Sequence, residues 1–199
     1  MHPSNTGPSP GRLSPEQLAA VAQNSEATLE GQHLLIPFFG TRYSLGPTTI
    51  WGPTGKRPAD PICAVLVNYV LRFPEIPPRS DRRVSFRELE GAGPLVVSFA
   101  NNTNKTIMNT FAGKQAQLES AAGALGGKPQ HHPSGFDLSL KFEALPHIPL
   151  YLQFNDAEAS FPAQSSLLLE ASIEHFLDMR SIFSLGTFLC GQLAAKGYD

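Results

Sequence analysis

Two carboxylates separated by one residue, Asp156 and Glu158, are the side chains of this 199-residue chain whose spacing most clearly allows chemistry. They follow an apolar stretch, residues 145–154, that we predict to be a buried strand, so both should lie at one rim of a sheet. Paired carboxylates suit general acid–base catalysis or the binding of a hard cation. The alternative interpretation is a solvated turn between a strand and a helix, because no third oxygen ligand has a fixed spacing to the pair.

Three further side chains are candidates for the same site. His147 lies between two prolines at the start of the predicted strand, Tyr151 lies within that strand, and His175 precedes a Phe-Leu pair near the C-terminal helix. His175 has a second interpretation as a satisfied imidazole of the core. We predict a pocket where residues 146–162 meet the C-terminal helix, with five ligand-binding residues: His147, Tyr151, Asp156, Glu158 and His175.

Several other kinds of site are not supported by the sequence. The adjacent His131 and His132 lack the i, i+4 spacing that places two metal ligands on one helical face, so we predict no metal site. No Gly-x-Ser-x-Gly motif occurs. Neither Cys63 nor Cys190 stands beside a base, and both occur in apolar helical patterns, which indicates reduced core residues.

The composition narrows the classes of partner. A formal net charge of −2 gives no electrostatic reason to expect nucleic acid or an anionic membrane surface. The chain has no signal-peptide pattern and no run of about 18 apolar residues. We therefore predict a cytoplasmic protein that binds neither nucleic acid nor membrane, with a small molecule, a cofactor or another protein as the remaining partners.

The periodicity of apolar residues predicts a single α+β domain over residues 14–199, after a disordered lead-in over residues 1–13. We expect an antiparallel or mixed sheet covered by about four helices. The sheet is predicted from residues 34–51, 84–99 and 136–154, and the helices from residues 14–31, 60–73, 104–125 and 178–196. Residues 167–177 fit a strand or a helix equally well.

Several segments together resemble a known family. They are Ser85-Phe86-Arg87-Glu88-Leu89, the Gly126-Gly127 step, Ala144-Leu145-Pro146-His147-Ile148-Pro149-Leu150, Phe161-Pro162 and His175-Phe176-Leu177. From about residue 34 to residue 193 the chain resembles the prokaryotic family catalogued as domain of unknown function 3786. The resemblance implies a cytoplasmic setting in anaerobic bacteria and archaea. Some members carry an attached cysteine-rich iron–sulfur module, which this chain lacks.

These observations leave three hypotheses for function. The first is a small-ligand or cofactor-binding accessory domain of anaerobic metabolism, for which an iron tetrapyrrole held by an imidazole is one conceivable cofactor that nothing in the sequence selects. The second is a hydrolase or lyase that uses Asp156 or Glu158 as a general base. The third is an interaction module without chemistry, whose acidic turn faces solvent or a protein partner.

Overall fold

The computed structural model describes residues 13–130 and 135–197, which form two antiparallel sheets and seven α-helices within that range. The predicted α+β class is confirmed. The predicted lead-in lies outside the described residues except for Leu13, which is buried, and the loop with His131 and His132 also lies outside them. Every helix in the described ranges is too short or too polar to cross a lipid bilayer.

The strands divide between a four-stranded sheet, in the order β1-β2-β3-β4, and a five-stranded sheet, in the order β5-β9-β8-β7-β6. The first sheet contains β1 (Thr28–Glu30), β2 (His33–Phe38), β3 (Thr41–Leu45) and β4 (Ile50–Trp51). The second contains β5 (Arg83–Ser85), β6 (Lys128–Pro129), β7 (Leu138–Leu145), β8 (Ile148–Asn155) and β9 (Gln164–Glu170). The single predicted sheet is therefore two, and the ambiguous Leu167–Leu169 segment is a strand.

The helices pack against one another and against both sheets, with the N-terminal helix on the four-stranded sheet. They are α1 (Pro15–Gln23), α2 (Asp60–Arg72), α3 (Val96–Asn102), α4 (Asn104–Phe111), α5 (Gln115–Ala124), α6 (Ile173–Phe176) and α7 (Met179–Lys196). The long helix α7 contacts α2, α3, α4 and α5, so it is the centre of the helical layer. Cys63 on α2 and Cys190 on α7 are buried free thiols, as predicted.

The N-terminal helix begins where the sequence indicates. The Ser14 hydroxyl accepts the N–H of Gln17, and the Gln17 side chain accepts the N–H of Ser14, which is a complete capping box. Its predicted end at Gly31 is wrong, because the helix ends at Gln23. Gly31 instead has a φ of +59° in the turn between β1 and β2, a conformation that glycine adopts at low cost.

Two predictions in the middle of the chain are also wrong. Residues 95–99 are not a strand, because a 3-10 turn at Gly93–Leu95 leads directly into α3. The predicted helix over residues 104–125 is broken into α4 and α5, since Gly113 has a φ of +73° and ends the first of them.

The central strand of the five-stranded sheet begins later than predicted. Residues 145–154 are not one strand: Leu145 ends β7, Pro146 and His147 form a two-residue turn, and β8 begins at Ile148. β8 is buried along all but its last residue, and it is flanked by β7, which pairs with residues 148–154, and by β9, which pairs with residues 150–155. The Pro146–His147 turn therefore lies at one end of the sheet, and the Asp156 turn lies at the other.

Gly186 on α7 allows the helix to approach the aromatic core closely. A Cβ at this position would lie 2.7 Å from the ring of Phe99, which is itself stacked on Phe86 with 3.9 Å between ring centroids. We predict that Gly186→Ala lowers the free energy of unfolding by about 1–3 kcal/mol, because the buried ring must move. The measurement is the midpoint of urea unfolding.

Gly191 provides the matched control on the same helix, since a Cβ there would meet nothing within 4 Å. Gly191→Ala should leave the protein as stable or up to about 1 kcal/mol more stable, as expected from helix propensity. Equal midpoints for the two variants would contradict the close packing of α7 on Phe99.

Candidate functional site

The five predicted site residues are distributed along β8 and beyond it, so the structure does not gather them in one pocket. His147 precedes the strand, Tyr151 lies in its middle and Asp156 follows it. An eight-residue strand spans about 26 Å, which places His147 and Asp156 at opposite ends of the sheet.

Asp156 connects the end of β8 to the junction between α4 and α5. Its carboxylate accepts the N–H of Gly113 at 2.5 Å and the N–H of Gln115, the first residue of α5, at 3.2 Å. The same carboxylate accepts the N–H of Ala157 at 2.7 Å. A carboxylate at a helix N-terminus satisfies unpaired donors and interacts favourably with the helix dipole. These contacts give Asp156 a structural role.

Glu158 is exposed in a tight turn closed by two main-chain hydrogen bonds with Phe161, of 3.0 and 3.1 Å. A surface cavity of about 300 Å³ lies here, lined among others by Asp137, Asp156 and Glu158. Among the described residues, no group of three or more His, Cys, Asp or Glu is arranged to hold a metal ion.

Tyr151 lies in the middle of β8, between the neighbouring strands β7 and β9, and is 7% exposed. Its hydroxyl donates to Glu170 Oε1 at 2.8 Å, and the Arg83 guanidinium lies 3.9 Å from the centre of its ring. Burial, with the neighbouring Glu170 carboxylate, raises the pKa of Tyr151 to about 12. The phenol is therefore neutral at physiological pH and acts as a hydrogen-bond donor to Glu170.

His147 occupies an unusual backbone conformation, with a φ of +62°. A proline followed by a residue with positive φ is the pattern of a type II turn, in which Gly or Asn is the usual second residue. The imidazole is fixed by its surroundings: Nε2 lies 2.8 Å from the carbonyl oxygen of Asn24, and the ring stacks on Phe176 at 5.9 Å and 8°. Since the carbonyl only accepts, Nε2–H donates, and the neutral ring has its lone pair on Nδ1.

His175 is exposed on the short helix α6, so its interpretation as a core imidazole is wrong. Its neighbour Phe176 is the buried residue that stacks on His147. His175 is therefore only a sequence neighbour of the residue that contacts His147, and it does not line the cavity at His147 or the cavity at Asp156.

A cleft separates the His147 turn from the four-stranded sheet and has a volume of about 340 Å³. Its walls are the Pro146–His147 turn, the end of β7, the β2–β3 turn and the segment that follows α1. The lining residues are Glu26, Pro37, Gly40, Lys128, Glu143, Leu145, Pro146 and His147.

The main chain fixes the distance across this cleft. The N–H of Phe39, which precedes Gly40 in the β2–β3 turn, donates to the carbonyl of Ala144 at 2.9 Å. Phe39 has a φ of +47°, so the two non-glycine residues with positive φ in the described part of the chain both belong to the turns that form this cleft. Such strained positions cluster at functional sites.

Four ionisable side chains line the cleft. Glu143 is paired with Lys141 at 2.6 Å, and Lys128 is the cross-strand neighbour of Lys141. Neither Glu26 nor Lys128 takes part in an ion pair among the described residues. The cleft therefore presents a carboxylate and an ammonium group of opposite charge that do not neutralise each other.

Sequence reasoning found only one residue of this cleft, His147. Glu143 continues the alternating pattern of the predicted strand and was identifiable as a solvent-facing residue, but not as part of a site. Glu26 lies outside the regular elements and Lys128 lies in the two-residue strand β6, and the sequence carries no signal that the two share a surface.

We predict that Asp156→Ala lowers the free energy of unfolding by about 1–2 kcal/mol, because the N–H groups of Gly113 and Gln115 lose their acceptor. Glu158→Ala is the matched control, and it should change stability by less than about 0.5 kcal/mol, since Glu158 is exposed. Urea unfolding measures both. Unchanged stability in Asp156→Ala would contradict the structural role and favour the general-base hypothesis.

The region of the chain that matches a known protein family covers nearly all of this fold. No curated protein and no solved structure matches the chain. The family described as "Domain of unknown function (DUF3786)" matches residues 17–192, a range that includes both turns of the cleft and every described strand. The chain therefore belongs to the DUF3786 family, as its resemblance to that family predicted.

Proposed function

We propose that the protein is a small-ligand-binding domain and that its ligand occupies the cleft between the His147 turn and the β2–β3 turn. The observation that carries the proposal is the pair of opposite charges on Glu26 and Lys128, which line one cavity without pairing with each other. A polar ligand that carries both charges would satisfy both groups at once.

The walls of the cleft support binding because they are held by the main chain. The hydrogen bond from Phe39 to Ala144 joins the two hairpins, and the contacts of His147 with Asn24 and Phe176 fix its ring. A cavity whose walls are already ordered binds a ligand without a large additional entropy cost.

The lining indicates a small zwitterion as the ligand class. Lys128 suits a carboxylate, sulfonate or phosphate group, and Glu26 suits an ammonium group. Glu143, already paired with Lys141, and the imidazole of His147 add hydrogen-bonding groups. An accessory role in the anaerobic metabolism of the cytoplasm, which the family resemblance implies, is part of the same proposal.

The two competing hypotheses have weaker support. A hydrolase or lyase that uses Asp156 as its base would need that carboxylate free to accept a proton from substrate, whereas it accepts three main-chain N–H groups. Glu158 is exposed in the turn closed by Phe161, and no described residue stands beside it as a nucleophile or an orienting partner. An interaction module needs no cleft, and no feature of the cleft favours a protein partner over a small molecule.

The proposal is tested by native mass spectrometry on full-length protein purified without oxygen, followed by thermal unfolding with glycine, alanine, glutamate, lysine, betaine and taurine. We expect either a co-purified mass that leaves on denaturation or a rise in melting temperature with at least one zwitterion. Glu26→Gln and Lys128→Gln should each weaken that binding about tenfold, because each removes one of the two charge-assisted contacts.

Glu119→Gln and Lys56→Gln are the matched controls, since both side chains are exposed and outside the cleft. They should bind as the wild type does. An apo mass together with no response to any of the six zwitterions would overturn the proposal, as would equal binding by all four variants.

A further inference from the structure

A proline-rich segment, residues 74–79, lies on the surface between α2 and β5. Its sequence is Pro-Glu-Ile-Pro-Pro-Arg, and it begins two positions after the last residue of α2. The chain bends at Glu75 and Ile76, and Ile76 is 84% exposed, the largest exposed fraction of any large apolar side chain in the described residues. A single exposed apolar side chain is common on protein surfaces, so exposure alone gives Ile76 no role. The residues that follow it provide one.

The segment is held at both ends and makes no hydrogen bonds between them. On the α2 side, the ring of Phe73 packs on the ring of Phe176, with 5.9 Å between their centroids. On the β5 side, the carbonyl of Arg82 accepts the N–H of Ala171 at 3.0 Å. Residues 74–79 form no hydrogen bond with any other part of the chain that the structure describes. The fold therefore fixes where the segment lies without using its hydrogen-bonding groups.

Two prolines restrict the conformation of residues 76–79. The φ of Pro77 and of Pro78 is fixed at about −65°, and a residue that precedes a proline is biased towards extended conformations. Both effects favour a polyproline II helix, which has three residues per turn and rises about 3.1 Å per residue. Ile76 and Arg79 are three positions apart, so they lie on one edge of such a helix, about 9 Å from each other. That edge presents an apolar side chain and a cation.

Arg79 carries a charge that the fold does not neutralise. Its side chain is exposed, and it takes part in no ion pair among the described residues. The nearest carboxylates in the sequence, Glu75 and Asp81, are also exposed and form no ion pair with it. A guanidinium can bind a carboxylate through two parallel hydrogen bonds. Charge complementarity therefore calls for an acidic side chain in whatever binds this segment.

We propose that residues 76–79 are a docking segment for a second protein, whose surface has an aromatic-lined groove for a polyproline II helix and a carboxylate beside that groove. Such grooves exploit a helix that is already formed and therefore loses little conformational entropy on binding. Ile76 and Pro77 fill the groove, and Arg79 pairs with the carboxylate. The segment shares no residue with the lining of the zwitterion cleft, so this interaction is independent of the ligand proposed there.

The test uses the full-length protein as immobilised bait in a soluble extract of its native cells, prepared without oxygen. Ile76→Ser and Arg79→Gln are the test variants, and both replace exposed side chains, so the fold is kept. We expect one protein that the wild type retains and that each variant retains at least tenfold less. A synthetic ten-residue polyproline peptide should release the retained protein, because this peptide presents the same type of helix to the groove.

Val97→Ser and Arg42→Gln are the matched controls, because both side chains are exposed and lie outside the segment. Both should retain the partner as the wild type does. The proposal is overturned if no protein distinguishes the wild type from the two test variants, or if the controls lose the partner to the same extent. A retained protein that polyproline fails to release would also overturn it. None of these outcomes bears on the zwitterion cleft, whose tests use other probes and other residues.

Discussion

The main-chain hydrogen bond from Phe39 to Ala144 is the contact on which the proposed site depends, because it joins the turn of one sheet to the end of a strand in the other. Phe39 is 8% exposed, so the bond forms away from bulk water, where an unpaired donor would be costly. The contact fixes Gly40 opposite Leu145 and Pro146, and those residues are two walls of the cleft. The geometry of the cleft therefore follows from how the two sheets are joined.

The helical layer supports another wall of the cleft, the Pro146–His147 turn. The buried hydroxyl of Tyr69 on α2 donates to the carbonyl of Pro146 at 3.0 Å, and burial strongly raises the pKa of this phenol, so it is a neutral donor. Tyr69 also packs on Phe176, which in turn stacks on His147. Helix α2 thus holds both residues of the turn, and these contacts offset the cost of about 1–2 kcal/mol for a non-glycine residue with positive φ. The buried aromatic residues of the core therefore contact the turn that forms one wall of the candidate site.

The sequence predicted those parts of the fold that depend on local signals, such as the capping box of Ser14 and the alternating strand over residues 136–142, most of which lies in β7. It failed where one pattern fits two structures: the apolar run over residues 95–99 reads as a strand, yet Pro94 starts a helical turn there. The Pro146–His147 turn was missed because neither residue is a usual choice for a two-residue hairpin. The cleft was not predictable, since Glu26 and Lys128 are brought together only by the contact between sheets. Asp156 was predicted as a ligand-binding residue, whereas the contact that the structure shows is with the start of α5, 41 residues away, which no local pattern reveals.

We infer that this protein recognises its ligand in the cleft between the two hairpin turns. The most direct measurement is a two-dimensional NMR titration of labelled full-length protein with a protein-free small-molecule extract of its native cells, grown without oxygen. If the ligand binds there, the amide shifts concentrate at residues that line the cleft, namely Glu26, Gly40, Lys128, Glu143 and His147. Shifts confined to the turn at Asp156 and Glu158, or no shifts at all, would contradict it.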